Sequence, residues 1–192
     1  LSREDGLLKP SSLVWNRKEQ LFISDEGLGI VFLYYEDKLT PYIKIKNMNS
    51  EAIALDKKGN LYVGDESSGN VYSVSPSKDI RIMAGQNNGL RIPEGVAVDE
   101  EDNVYIADEE ANKIFKIKNG RIETFMNETN GIKGPEEIVY SNELLYIANE
   151  SKSELLITDM RGKIISKFYF SNPEGIAIDR KENIYVSSDR ES

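Results

Sequence analysis

The chain has 192 residues, 39% of them hydrophobic, enough to bury a substantial core in one repeat-built domain, and its apolar runs are too short for a transmembrane helix. Its formal net charge of -9 argues against nucleic acid, because phosphate binding needs clustered Lys and Arg and here the Lys residues scatter over turns and outer segments. With no His and no Cys, the chain offers no imidazole base, no thiol nucleophile and no disulfide evidence about its compartment.

In chain order, "PSSLVWNRKEQLFISDEGLGIVFLYY" begins at Pro10 and "SEAIALDKKGNLYVGDESSGNVYSV" at Ser50. "IPEGVAVDEEDNVYIADEEANKIFKI" begins at Ile92, "PEEIVYSNELLYIANESKSELLIT" at Pro135 and "PEGIAIDRKENIYVSSDRES" at Pro173. Aligned on the residue after the Tyr/Phe-bearing run, Asp25, Asp65, Asp108, Asn149 and Ser188 are 40, 43, 41 and 39 residues apart. The chain is an array of one unit, at approximately 9–48, 49–91, 92–133, 134–171 and 172–192.

Within a unit, short runs rich in Val, Ile, Tyr and Phe alternate with turn chemistry, and no window holds a helical period. The Asp-x-x-x-Asn segments starting at Asp56, Asp99 and Asp179 suit tight reversals, since Asp and Asn bond their own backbone. Four strands per period of roughly 40–45 residues predict an all-β chain, a β-propeller of four-stranded antiparallel blades. The first strand, apolar on both faces ("AIAL", "GVAV", "GIAI"), is expected to be innermost and doubly covered, with Phe22, Tyr62, Tyr105, Tyr146 and Tyr185 packing between blades. Four units are complete and the fifth supplies two strands, so the chain is expected to be part of a longer propeller, six-bladed at about 240 residues. A five-bladed ring is the alternative.

The units resemble NHL-repeat propellers and the wider calcium-dependent group of gluconolactonase-like and strictosidine synthase-like proteins. "KPSSLVWNRKEQLFISDEG" followed by "SEAIALDKKGNLYVGDE" is most similar to the SdiA-regulated propellers, which implies a cell-surface or periplasmic location. NHL propellers that hold RNA do so through basic faces, which this acidic chain lacks. The resemblance also implies a divalent ion in the central channel.

Two acidic columns are the candidate site. In a propeller, the entry to the first strand and the loop after the second lie on one face. This puts Glu51, Glu94, Glu136 and Glu174 at the channel mouth, with Ser11 at the equivalent place in the first unit. Glu26, Glu66, Glu109, Glu150 and Asp189 form a second column, a ligand-binding face further out. Converging carboxylates raise one another's pKa unless they are protonated, hydrated or neutralised by a cation, and a supply of hard oxygen ligands points to Ca²⁺ on Glu51, Glu94, Glu136 and Glu174. The neighbouring Asp25, Asp65 and Asp108 are read as loop caps that accept backbone N–H groups.

The expected function is binding or scaffolding through this acidic face, toward a small molecule or a protein. The alternative is a metal-dependent lactonase or esterase of the gluconolactonase type, whose "PDG" motif is matched here only as "PEG", at Glu94 and Glu174. Paraoxonase-like, virginiamycin-lyase-like and amidating-lyase mechanisms all require His. No Gly-x-Ser-x-Gly elbow is present either. Ser11, and Glu137 in place of the Gly of Pro-Glu-Gly, are the clear breaks in the repeat at the mouth.

Overall fold

The hairpins are built by carboxylates that close their own turns. Asp99 Oδ1 accepts the backbone N–H of Glu101 (2.8 Å) and Asn103 (2.9 Å), while its Oδ2 accepts the Asn103 amide (2.6 Å) and the Tyr105 hydroxyl (3.2 Å). Asp56 repeats this set on Lys58, Asn60 and Tyr62, and Asp179 on Lys181, Asn183 and Tyr185. One short side chain thereby satisfies backbone donors that the reversal would otherwise leave unpaired, and it anchors an aromatic from the next strand.

The structure, a computed structural model, describes residues 1–188. β1 (Pro10–Trp15), β2 (Leu21–Asp25), β3 (Ile30–Tyr35) and β4 (Lys38–Lys44) form the first sheet, and β5 (Ser50–Leu55), β6 (Leu61–Asp65), β7 (Asn70–Val74) and β8 (Ile80–Ala84) the second. The third comprises β9 (Pro93–Val98), β10 (Val104–Asp108), β11 (Lys113–Lys118) and β12 (Arg121–Met126). β13 (Pro135–Ser141), β14 (Leu144–Asn149), β15 (Glu154–Asp159) and β16 (Ile164–Tyr169) form the fourth, and β17 (Pro173–Ile178) pairs with β18 (Ile184–Ser188). Strands follow sequence order within each sheet, and the recorded pairings are antiparallel. These are propeller blades. No described helix is long and apolar enough to cross a membrane.

The chain divides into two compact units, Leu1–Pro93 and Glu94–Ser192. In the first, Phe22, Val31 and Ile43 of the first blade pack with Ile53, Leu61 and Val63 of the second. In the second, Tyr105, Ile114 and Met126 pack with Ile138, Leu145 and Ile147, and Tyr146 with Ile176 of the last sheet. The aromatic column is thus buried between blades at Phe22, Tyr105 and Tyr146, each such side chain contributing about 1.5–3 kcal/mol of burial. Tyr185, on β18, is 58% exposed.

The double cover expected of the first strand is seen in β5 and β9, each buried at four of six positions, but not in β1, which alternates between exposed and half-buried residues. The second strands are covered more completely still: β2, β6 and β10 are buried at every position. A second strand has ladder partners on both edges as well as packing on both faces, and a first strand is a sheet edge. Leu13 on β1 is 64% exposed, while its repeat equivalent Ile53 is 5% exposed because the first blade covers it.

Candidate functional site

The carboxylate that opens each first strand sits beside a local irregularity. Ser50 pairs with Asp65 and Ala52 with Gly64, so Glu51 is an extra residue on β5. Pro135 pairs with Asn149 and Ile138 with Ile147, leaving Glu136 and Glu137 opposite Ala148 alone, and Glu174 and Gly175 likewise stand opposite Ser187. Such bulges release a residue from the ladder and re-aim its side chain, which is why an acid can begin an otherwise apolar strand. Glu94 also lies on a first strand, β9.

The frame residues are caps, as expected. Asp25 is fully buried and accepts the N–H groups of Leu8 (2.6 Å), Lys9 (3.1 Å) and Leu28 (3.1 Å). Asp65 accepts Asn49 N–H (2.8 Å) and the hydroxyls of Ser67 and Ser68, and Asp108 accepts Ala111 N–H (3.0 Å). Asn149 performs the same service for Lys133 N–H at 2.7 Å.

In the first unit the structure joins the two acidic columns. Glu26, after β2, is ion-paired with Lys9 and hydrogen-bonded to Glu51 of the next blade. Its side chain is only 8% exposed. Burial drives the Glu51 carboxyl up to about 8, assisted by the hydrogen bond and charge of Glu26 and the charge of Glu66, with Lys9 opposing. Burial acts on Glu26 in the same sense, but hydrogen bonds from Glu51 and Lys9 and the lysine charge outweigh it and hold Glu26 below the usual carboxylate range. At neutral pH the group is therefore an ammonium, a carboxylate and a carboxylic acid in series, Glu51 donating to Glu26. Glu66 is held apart by its own partner, the Asn49 amide.

In the second unit Glu94 and Glu136 are half-buried and Glu174 is exposed. Glu109 and Glu150 are half-buried in the loops after β10 and β14, and Glu150 accepts the Ser151 hydroxyl at 3.2 Å. Asp189 lies outside the described residues. Among the described residues, no three acidic side chains are gathered in a geometry that would hold a metal ion.

The break at Glu137 has a chemical consequence that its sequence position only hinted at. Burial raises its carboxyl to about 8, with the Ile138 N–H (2.9 Å) pulling down and Glu136 pushing up. At the corresponding Gly95 of the third blade, a Cβ would lie 2.5–3.0 Å from the backbone of Glu136, Glu137 and Ile138, so Gly is required there. Side-chain contact between Glu26 and Glu51 could not be read from the repeat, because it crosses from one period to the next.

Four-stranded antiparallel sheets in sequence order, with acids at the bulged starts of β5, β13 and β17, define a β-propeller fold. Residues 90–117 match the NHL repeat model. No curated protein matches the sequence. Among solved structures, virginiamycin B lyase from Staphylococcus aureus, in a catalytically inactive histidine-to-alanine form with quinupristin, is similar with a TM-score of 0.79 at 16% identity over 97% of this chain and 64% of that one. A gluconolactonase from Xanthomonas campestris gives 0.78 at 12% identity, covering 93% and 69%. A nidogen/laminin complex gives 0.73 at 19%, covering 85% and 64%. The chain thus spans less than two thirds of the lyase and of the matched nidogen/laminin chain, and these likenesses establish the fold.

Proposed function

We propose that this chain is part of a binding propeller whose acidic loop end receives a cation or a cationic group of a partner, with Ca²⁺ the ion that Glu51, Glu94, Glu136 and Glu174 would take. The observation that carries this reading is the Lys9–Glu26–Glu51 series, which uses one lysine and one proton to neutralise carboxylates that a cation could neutralise instead. Because no three acids are already gathered among the described residues, binding would require Glu51 to lose its proton and the side chains to move, so affinity rises with pH toward about 8. These 192 residues supply no imidazole of the kind whose replacement inactivates the similar virginiamycin B lyase, so the groups they do offer for the acidic end are carboxylates. The nidogen/laminin likeness supports a protein as partner.

One observation favours the second reading, a metal-dependent hydrolase of lactones or esters. Glu137 is a carboxyl protonated at neutral pH and placed where the repeat breaks, the protonation state a general acid needs.

Thermal melting with excess Ca²⁺ and with chelator, at pH 6 and pH 8, tests the first reading. A native-state ligand at a hundredfold excess over Kd stabilises by about 2.7 kcal/mol, so melting should rise with Ca²⁺, more at the higher pH, and less in Glu51→Gln. Coincident melts reject the ion. Turnover of lactones or aryl esters that vanishes in Glu137→Gln would replace binding by hydrolysis.

A further inference from the structure

The second blade departs from its siblings at a place remote in chemistry from the acids. Three short turns share one plan: Ser2–Gly6, Gly85–Gly89 and Asn127–Gly131 each form a single 3₁₀ turn closed by a glycine in the left-handed region. In each, the fourth residue reaches back to the first: Asp5 to Ser2 N–H (2.7 Å), Asn88 to Gly85 N–H (3.1 Å) and Asn130 to Asn127 N–H (3.1 Å). Ser2 and Asn127 also cap with their own side chains, accepting Glu4 N–H and Thr129 N–H. Gly85 cannot. A Cβ there would collide with Oδ1 of Asn70, so the missing side chain makes room for the amide that opens β7. The equivalent positions on the other third strands are Ile30, Lys113 and Glu154.

The result is an open cleft of about 390 Å³ lined by Ser68, Asn70, Ile82, Gln86, Asn87 and Asn88, with Gly85 at its base. That is at the lower end of the range for small-molecule sites. No charged side chain lines it, although the protein carries a net charge of -9 and the sibling turns hold Arg3, Glu4 and Asp5 or Glu128. Neutral amides both donate and accept, and several of these atoms are uncommitted: Gln86 uses its Nε2 on Ser68 O (3.4 Å), leaving Oε1, and Asn88 uses its Oδ1, leaving Nδ2. Ile82, 63% exposed, adds an apolar wall. An ion would find no opposite charge here, and a base no aromatic ring among the lining residues on which to stack. A hydroxyl-rich ring with one apolar CH face matches both kinds of wall.

We propose that this cleft is a binding subsite for a neutral carbohydrate, recognised by the amides of Asn70, Gln86, Asn87 and Asn88 with Ile82 against the sugar's CH face. The cleft shares the loop after β6 with Glu66, but none of the acidic side chains lines it.

The test is a side-chain NH₂ NMR titration of the 192-residue chain with neutral methyl hexosides and N-acetylhexosaminides, and with a methyl glucuronide as the charged comparison. Saturable shifts of these amides are expected with at least one neutral glycoside, at millimolar affinity. Binding should be about tenfold weaker in Asn87→Ala, as the loss of one or two hydrogen bonds requires, and similarly weakened in Gly85→Ser, which restores the sibling cap and displaces Asn70. Thr129→Ala, at the sibling turn, should leave it unchanged. The proposal is overturned by no saturable shift with any neutral glycoside, by tighter binding of the glucuronide, or by wild-type affinity in Asn87→Ala.

Discussion

Glu51 in the first unit and Glu137 in the second both hold a proton up to about 8, yet their surroundings differ. For both, burial is the largest cause. Glu51 adds a hydrogen-bonded carboxylate, a second acid and a lysine, so its proton belongs to a group that spans two blades. Glu137 has, besides burial, a single backbone donor and the adjacent Glu136. The first is a shared proton, adjustable by changing a neighbour. The second belongs to one residue and answers only to its environment.

The difference can be broken by mutation, with the largest effect at Glu137. A carboxyl whose folded pKa is raised from 4.5 to about 8 makes the native state bind a proton that the unfolded chain has already lost, so stability falls as pH climbs between those values. Glu137→Gln keeps an acceptor for Ile138 N–H but cannot ionise. It should flatten that decline and, at alkaline pH, raise Tm by several degrees, on the scale of 2–4 °C per kcal/mol for a protein of this size. Unchanged melting across the window would mean the Glu137 carboxyl is better solvated than its position implies.

A smaller effect is expected in the first unit, and it should depend on context. Glu26→Gln removes the carboxylate that helps retain the Glu51 proton, so the Glu51 midpoint in a carboxyl NMR titration should fall while that of Glu137 stays in place. Coupling between Glu26→Gln and Glu51→Gln should lie within about 0.5–3 kcal/mol, the range for residues in direct contact. Additive effects would show that the two carboxyls titrate separately.

The smallest change comes from Lys9, whose side chain is 71% exposed. Lys9→Met should barely move Tm, as removal of an exposed ion-pair partner usually does. It should nevertheless raise the Glu26 midpoint, because Lys9 both hydrogen-bonds and charges that carboxylate. A Glu26 midpoint indifferent to Lys9 would leave Glu51 as its sole support.

Much of this architecture was legible because a repeat reveals itself by period. The Asp turns, the four-strand plan and the burial of Phe22, Tyr105 and Tyr146 follow from residues recurring at one frame, and Asp25, Asp65 and Asp108 are the caps their position suggested. Edge exposure was not legible. "SLVW" reads as apolar as "AIAL", yet Leu13 is exposed while Ile53 is buried against the first blade. Nor could the meeting of Glu26 with Glu51 be seen, since a one-dimensional period assigns them to separate columns and only the step from blade to blade brings them within hydrogen-bond reach. Glu137 was visible as an irregularity, but its protonation state follows from burial, which spacing does not encode.

Trp15, the chain's one tryptophan, stands 61% exposed at the end of β1. Its indole already experiences water in the native state, so its fluorescence should emit at long wavelength and yield readily to acrylamide before any unfolding occurs. A melt followed by tryptophan emission will therefore understate the transition that circular dichroism records from the strands. The same indole will shift toward the blue when an apolar surface settles on β1, giving the molecule an optical label for that face without a dye.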